Sequence, residues 1–227
     1  MLPVVIGFAH RGAKAYAQEN TLEAFTLALR LGATGLESDV WLTADGIPVL
    51  DHDGVVKSRL RSRPIGACAR ADLPAHIPTL DEMLSATPST MPLSLDVKDP
   101  AAFEPIVEIF RRHSIHGGRL LYLCHPHLEV LRDWVNLAAD VRLVHSTRLA
   151  RMKDGPERHA ATLREVGIDV VNMPYPDWSG GLVALFKRFD VRCFAWDCQH
   201  ERQIGEVARM GVDAVYSDWP DRLADVL

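Results

Sequence analysis

Short apolar runs alternate with amphipathic stretches from one end of this chain to the other. The apolar runs are dense in Val, Ile and Leu, as is typical of strands that are covered on both faces. Roughly eight such repeats in a chain of 227 residues give about 28 residues per repeat, close to the smallest βα unit of a closed barrel. The pattern therefore predicts an α/β chain that folds as a single (β/α)₈ barrel.

The predicted strands are residues 4–9, 35–42, 47–50, 92–97, 119–124, 141–145, 169–173, 191–196 and 214–217. The predicted helices are residues 20–31, 79–86, 101–112, 128–138, 157–166, 181–189, 201–210 and 221–226. Asn20 followed by Glu23 resembles a capping box at the start of the first helix, and Gly32 suits a left-handed turn at its end. Residues 54–76 are expected to form a short irregular insertion after the third strand-like segment, shaping access to the substrate.

A doubly wound open sheet is the rival architecture. It is favoured by a Gly-x-Gly-x-x-Gly motif after the first strand, and His10-Arg11-Gly12-Ala13 stands there instead. Because no low-complexity linker or shift in composition divides the chain, we expect one domain over residues 1–227.

The net charge of −5 at pH 7 gives the chain no general attraction for polyanions, which argues against a nucleic-acid partner. The apolar runs are too short to cross a bilayer, and the first ten residues predict a strand and not a signal peptide. The four cysteines form no Cys-x-x-Cys pair, so buried free thiols are expected and structural zinc is not. We therefore expect a cytoplasmic protein with no transmembrane segment. The oligomeric state is left open.

Titratable side chains collect where the predicted strands end. Residues two apart on a strand point to the same side, and inward side chains at the carboxyl ends of barrel strands converge on one mouth. The sequence thus predicts one site from His10 and Arg11 after the first strand, Glu37 and Asp39 on the second, Asp51, His52 and Asp53 after the third, and Asp96 and Lys98 on the fourth.

Three carboxylates this close together would repel one another unless a cation neutralised them. An all-oxygen ligand set favours Mg²⁺ or Ca²⁺ over zinc. Two imidazoles suit general acid and base roles, and an arginine with a lysine can hold a phosphate group. The combination predicts metal-assisted phosphoryl transfer.

Other interpretations remain open at this point. Glu37 and Asp39 alone are also compatible with an ion pair to a nearby arginine, though less typical of it, and Lys98 alone with a solvated charge. A lysine in an apolar pocket would instead suit a Schiff-base aldolase or isomerase. A barrel that binds a phosphodiester without turning it over is the remaining alternative.

Ordered motifs over the first fifty-three residues resemble the signature of the glycerophosphodiester phosphodiesterase family. Weaker similarities continue through residues 77–82, 95–98, 194–196 and 211–218. The motifs are His10-Arg11-Gly12, Glu19-Asn20-Thr21, Glu37-Ser38-Asp39-Val40, Thr43-Ala44-Asp45-Gly46-Ile47-Pro48-Val49 and His52-Asp53.

The resemblance implies a TIM barrel that cleaves glycerophosphodiesters to an alcohol and glycerol 3-phosphate. It implies that His10 and His52 are the acid–base pair and that Arg11 and Lys98 hold the phosphate. It further implies that one divalent cation, Mg²⁺ or Ca²⁺, is bound by Glu37, Asp39 and Asp96.

Departures from the family pattern bear on the substrate. Asp96 stands where the family usually has Glu, which resembles the branch of lysophospholipase D-like and sphingomyelinase D-like enzymes that form a cyclic phosphate. A lysophospholipid is therefore the alternative substrate. His125 is a candidate contact for the phosphate or the leaving group, and Trp196 for the glycerol carbons. His125, His127 and His145 suit either of two interpretations, a second metal site or a polar rim of the cavity.

Overall fold

The computed structural model describes residues 5–57, 62–113, 120–137 and 140–227. The strands in these residues are β1 (Ile6–Ala9), β2 (Gly35–Leu42), β3 (Pro48–Leu50), β4 (Val55–Lys57), β5 (Ser62–Pro64), β6 (Leu93–Val97), β7 (Leu121–His125), β8 (Arg142–Ser146), β9 (Val170–Pro174), β10 (Arg192–Trp196) and β11 (Ala214–Ser217). The helices are α1 (Leu22–Arg30), α2 (Leu80–Ala86), α3 (Phe103–His113), α4 (Leu128–Trp134), α5 (Pro156–Val166), α6 (Gly180–Arg188), α7 (Glu201–Met210) and α8 (Pro220–Val226).

Eight parallel strands close into a ring in the order β1, β2, β6, β7, β8, β9, β10 and β11. The ring is sealed by the pairing of β1 with β11, in which Phe8 lies opposite Tyr216. Helices lie between successive strands in the chain, as in a right-handed βα repeat. The predicted (β/α)₈ barrel is confirmed. No helix in the described ranges has both the length and the apolar character needed to span a membrane.

The sequence predicted a barrel strand at residues 47–50, and this prediction is wrong. β3 instead pairs antiparallel with the end of β2, with Leu50 opposite Val40. The chain reverses at Gly46, whose φ of +78° is the left-handed conformation that glycine adopts without strain. This hairpin carries residues 51–53 back toward the mouth of the barrel.

The insertion at residues 54–76 contains more regular structure than the expected irregular loop. Its described residues form the antiparallel pair of β4 and β5 and two short 3₁₀ turns. Ile65, Cys68, Leu73 and Ile77 pack with Val49 of β3 into a small apolar cluster of their own. The insertion is thereby fixed to the hairpin that precedes it.

Aromatic side chains fill the inside of the barrel below its mouth. The rings of Phe8 and Tyr216 stack with centroids 4.9 Å apart, and those of Tyr122 and Phe194 meet edge to face at 5.0 Å. The hydroxyl groups of Ser94 and Tyr216 lie 2.8 Å apart directly above this layer. The layer forms a rigid apolar floor under the polar groups at the strand ends.

Phe194→Ala is expected to lower the free energy of unfolding by about 3–5 kcal/mol, because it leaves a cavity in this fully buried layer. Urea denaturation measures the loss. The matched control is Leu22→Ala on the exposed face of α1, which should cost less than about 1 kcal/mol. Equal losses for the two variants would contradict the role given to the aromatic floor.

Candidate active site

A cavity of about 510 Å³ opens where the barrel strands end. Its size is within the range of small-molecule sites. Most of the residues predicted from the sequence for the site line its wall, namely His10, Arg11, Glu37, His52, Asp96, Lys98 and Trp196. Asp39 lies buried just behind the wall, and His125 is elsewhere. The convergence predicted from strand ends is therefore found in the structure.

Three carboxylates lie close together at the cavity. β2 and β6 are neighbours in register, with Asp39 opposite Asp96 and Glu37 opposite Ser94, so the three side chains share the inner face of the barrel. One oxygen from each of Glu37, Asp39 and Asp96 lies within 4.8 Å of the others. Burial, and then the negative charges of Asp39 and Asp96, raise the pKa of Glu37 to about 8 against the opposing effect of His10. A divalent cation fits this donor set, since it would relieve that repulsion.

Asp39 is the carboxylate most heavily engaged by the protein. Its Oδ1 lies 2.8 Å from Lys98 Nζ, and its Oδ2 accepts a 3.1 Å hydrogen bond from the Asn20 amide. Arg11 Nε lies 3.0 Å from the same Oδ2, although its N–H is not aligned to donate to it. Despite burial, these cations hold the pKa of Asp39 below its usual value. Asp39 is therefore ionised whether or not a metal ion is bound.

Asn20 has a different role from the helix cap predicted for it. The cap of α1 is Thr21, whose hydroxyl accepts the backbone N–H of Ala24. Asn20 adopts a left-handed φ of +56° and turns its amide inward. There it accepts a 2.7 Å hydrogen bond from Ser38 while donating to Asp39. The motif containing Asn20 thus positions a carboxylate of the acidic cluster.

Arg11 is held in place by the tight turn after β1. Its own φ is +53° and that of Gly12 is +77°. A Cβ on Gly12 would meet the backbone of Ala24 at 2.7 Å, so only glycine fits there. In this turn the Arg11 backbone N–H donates to Glu37 Oε2 at 2.8 Å, and its guanidinium bonds to Glu19. The backbone therefore orients Glu37 as well as the guanidinium.

His10 is paired with a carboxylate from the far end of the sequence. Its Nδ1 lies 2.6 Å from Asp218 Oδ1, and its Nε2 lies 3.9 Å from Glu37 Oε2. Burial disfavours the charged ring, yet Glu37 and Asp218 together raise the pKa of His10. The Asp218 contact fixes the ring so that Nε2 faces the cavity. Asp218, to which the sequence analysis gave no catalytic role, is thus part of the site.

Asp218→Asn is expected to lower kcat at least about tenfold, because the ring of His10 loses the partner that orients it. The KM for substrate and the melting temperature should change little, since Asp218 is partly exposed. Steady-state kinetics with thermal melting measures both. A loss of melting temperature that accounts for the loss of activity would show that Asp218 is merely structural.

His52 reaches the cavity through the β2–β3 hairpin. Asp51, the residue before it, accepts the backbone N–H of Gly54 at 2.7 Å and closes the loop. His52 Nδ1 lies 3.0 Å from Asp53 Oδ1. Nε2 is therefore the ring nitrogen that does not contact Asp53. His10 and His52 therefore line one cavity from two separate elements, each with a carboxylate on its Nδ1 side.

Lys98 lies between two carboxylates, with Nζ 2.8 Å from Asp39 Oδ1 and 3.0 Å from Asp96 Oδ2. Burial opposes its charge, but the two acidic groups raise the pKa of Lys98 above its ordinary value. A Schiff-base lysine requires the reverse, a lowered pKa in an apolar pocket. The geometry therefore does not provide what the aldolase alternative needs.

His125 does not belong to the cavity wall. Tyr122 and Cys124 of β7 point into the barrel, so His125 points outward, where its ring packs against Trp134 of α4 at 5.6 Å. The expectation of a substrate contact depended on the end of a strand and ignored this alternation of faces. His125 is therefore not among the residues that line the cavity.

The second metal site suggested for His125, His127 and His145 is not formed either. His145 Nδ1 lies 3.1 Å from His159 Nε2 on the outer side of β8, and His127 is exposed beside Glu129. Burial and the neighbouring His159 lower the pKa of His145 to about 4. Within the described residues, the group able to hold a metal is the acidic cluster.

Comparison with known proteins identifies the family. The model of the glycerophosphoryl diester phosphodiesterase family matches residues 10–222, a range that includes the acidic cluster, both histidines and Asp218. The chain belongs to this family. The resemblance inferred from the motifs is thereby confirmed.

Glycerophosphodiester phosphodiesterases resemble the chain along nearly its whole length. A probable glycerophosphodiester phosphodiesterase 2 of Mycobacterium tuberculosis is 29% identical over 244 residues, which cover 98% of this chain and 90% of that protein. The crystal structure of a glycerophosphodiester phosphodiesterase from Thermotoga maritima has a TM-score of 0.85 at 22% identity, with 99% of each chain covered. An Oleispira antarctica phosphodiesterase in complex with the product sn-glycerol-3-phosphate has a TM-score of 0.84 at 24% identity, covering 99% of this chain and 96% of that one.

The phosphodiesterase site includes residues that the sequence did not single out. Arg148 and Arg151 after β8, Asn172 of β9 and Asp197 after β10 also line the cavity. Arg148, Arg151 and Asp197 follow barrel strands, so the rule that predicted the acidic cluster applies to these three as well, whereas Asn172 lies in the middle of β9. Their side chains match no recognised motif, and for that reason the signal was missed.

Proposed function

We propose that this chain hydrolyses glycerophosphodiesters to an alcohol and glycerol 3-phosphate with the help of one divalent cation, Mg²⁺ or Ca²⁺. The observation that carries the proposal is the meeting of the acidic cluster, Glu37, Asp39 and Asp96, with two histidines in one cavity. The family match over residues 10–222 supports the same chemistry. We also propose that residues 1–227 form a single domain.

The charges of the site fit a cation and a phosphodiester together. With a divalent cation bound, all three carboxylates would be ionised and carry three negative charges, and Arg11 and Lys98 beside them carry two positive ones. A bound divalent cation would leave the group with a net positive charge, suited to a singly charged phosphodiester. When bound, the cation would act as a Lewis acid toward a phosphoryl oxygen. Glu37, Asp39 and Asp96 are the residues that would hold it.

Arg11 and Lys98 are the proposed phosphate ligands. Arg11 lines the cavity while its Nε lies beside Asp39 and one of its terminal nitrogens bonds to Glu19, and its remaining N–H groups would donate to a phosphate oxygen. Lys98 lies on the opposite side of Asp39 and carries a persistent positive charge. The two cations would thus bind the phosphate from either side of the acidic cluster.

His10 and His52 are the proposed proton-transfer pair. One removes a proton from the attacking group, which is water or the neighbouring glycerol hydroxyl, and the other protonates the departing alkoxide. Where the glycerol hydroxyl attacks, the cyclic phosphate that forms is then opened by water to give glycerol 3-phosphate. Nδ1 of His10 lies beside the carboxylate of Asp218, and Nδ1 of His52 lies beside that of Asp53. Nε2 of each ring is therefore the nitrogen available to substrate.

A product assay tests the function. Glycerophosphodiesters and lysophospholipids are incubated with the protein in Mg²⁺, in Ca²⁺ and in EDTA, and the phosphorus products are followed by NMR. We expect glycerol 3-phosphate from the glycerophosphodiesters in the presence of metal. A persistent cyclic phosphate from a lysophospholipid would favour the lysophospholipase D-like alternative. Binding without turnover in excess Mg²⁺ would favour the non-catalytic barrel.

We also propose that the protein works in the cytoplasm. All four cysteines, Cys68, Cys124, Cys193 and Cys198, are buried and form no disulfide, as is usual in a reducing compartment. Fractionation of cells that express the protein at its natural level tests this location.

A further inference from the structure

Two arginines lie across the mouth of the barrel from the phosphate-binding side. In the ring of eight strands, β8 is diametrically opposite β1. Arg148 and Arg151 follow β8 and line the same cavity as His10 and Arg11. The arginines therefore face whatever part of the substrate extends beyond the phosphate.

These two guanidinium groups differ from the other cations of the cavity in having no acidic partner. Arg11 and Lys98 contact Asp39, and Lys14 lies 3.5 Å from Asp218. Neither Arg148 nor Arg151 forms an ion pair with a carboxylate in the parts of the chain that the structure describes. Both side chains are exposed at the cavity, so their positive charge is open to solvent and to a ligand.

Arg148 is also held in place by the barrel. Its guanidinium carbon lies 4.9 Å from the centre of the Trp196 ring, at the end of β10. Such stacking reduces the freedom of the side chain without neutralising it. It also covers one face of an aromatic ring that would otherwise suit a quaternary ammonium group. The expected contact of Trp196 with glycerol carbons is thus accompanied by a second role, the support of Arg148.

The chemistry of the substrate then decides what the arginines bind. The single charge of the phosphodiester is met by Arg11, Lys98 and the cation site, and glycerol has no charge. We propose that Arg148 and Arg151 bind an anionic group, a carboxylate or a phosphate, on the alcohol that is esterified to glycerol phosphate. The inference rests on the proposed function and adds the class of alcohol. A cationic alcohol such as choline would face two like charges there.

A matched panel of esters tests this selectivity. Glycerophosphoglycerol has a neutral alcohol, and glycerophosphoglycerate differs from it by one carboxylate. Glycerophosphoglycerol with a terminal phosphate on the alcohol supplies the other anionic group, and glycerophosphocholine the cationic one. We expect kcat/KM to be at least about tenfold higher for the anionic esters than for the neutral one. The better of the two anionic esters identifies the group that is bound.

The variant R148A/R151A should lower kcat/KM for the anionic esters by about 10- to 100-fold, mainly through KM, and for the neutral ester by less than about threefold. R30A/R188A, which removes two exposed arginines outside the cavity lining, is the control for net charge and should match the parent on every ester. Equal kcat/KM across the panel, or an equal loss on all esters in R148A/R151A, would overturn the inference while leaving the hydrolysis intact. No turnover of any ester would overturn the proposed function itself, and this inference with it.

Discussion

His10→Ala is expected to lower kcat on a glycerophosphodiester by on the order of 10²–10⁴-fold, the usual worth of a positioned acid or base. The residue lies at the end of β1 with Nδ1 on Asp218, so the variant loses the proton-transfer group and its orientation together. His52→Ala should have an effect of similar size, since His52 lines the same cavity from the β2–β3 hairpin. Steady-state kinetics on purified protein measures both.

The control for these variants is His113→Ala. His113 is at the end of α3 and bonds to Asp81 away from the cavity, so its loss should leave kcat unchanged. The double variant His10→Ala/His52→Ala should be little worse than either single one, because residues that act as a unit are not additive. An unchanged kcat in His52→Ala would exclude it from proton transfer.

Removal of divalent ions is expected to abolish hydrolysis, and addition of Mg²⁺ or Ca²⁺ to restore it. A second readout is independent of activity. An ion that binds only the folded chain raises its stability by about 2.7 kcal/mol at a concentration of 100 times Kd, so the melting temperature should rise with added metal. The physical reason is the relief of repulsion among Glu37, Asp39 and Asp96.

The metal-dependent rise should disappear in E37Q/D39N/D96N. Because Asp39 contacts two cations, the triple variant itself will be less stable without metal, and only the response to metal is compared. E104Q/E108Q/E165Q removes three exposed carboxylates outside the cavity lining and should keep the full response. Activity that persists in EDTA, with no thermal response to either ion, would refute the metal site.

Most of the barrel was predictable because each strand buried on both faces has a compact apolar run. β2 and β11 begin and end where predicted. The hairpin of β3 was missed for a local reason. A short apolar run does not reveal whether its partner is parallel or antiparallel, whereas the Asp45-Gly46 turn, which reverses the chain, is typical of a hairpin.

The acidic cluster could be predicted because residues two apart on a strand share a face. The same rule, applied to β7, would have placed His125 outside the barrel with Leu121 and Leu123. What the sequence could not provide is the network around Asp39. The contacts of Asn20, Arg11 and Lys98 with it depend on left-handed backbone conformations and long-range packing.

The pairing of β1 with β11 has a consequence for how the protein becomes active during translation. His10 leaves the ribosome well before its partner Asp218, which lies 208 positions later in the chain. A nascent polypeptide that has reached only β10 has an open seam and an unoriented imidazole. Onset of hydrolysis should thus follow the docking of the unit formed by β11 and α8, and cleavage of the loop before β11 should inactivate the protein until that peptide docks again.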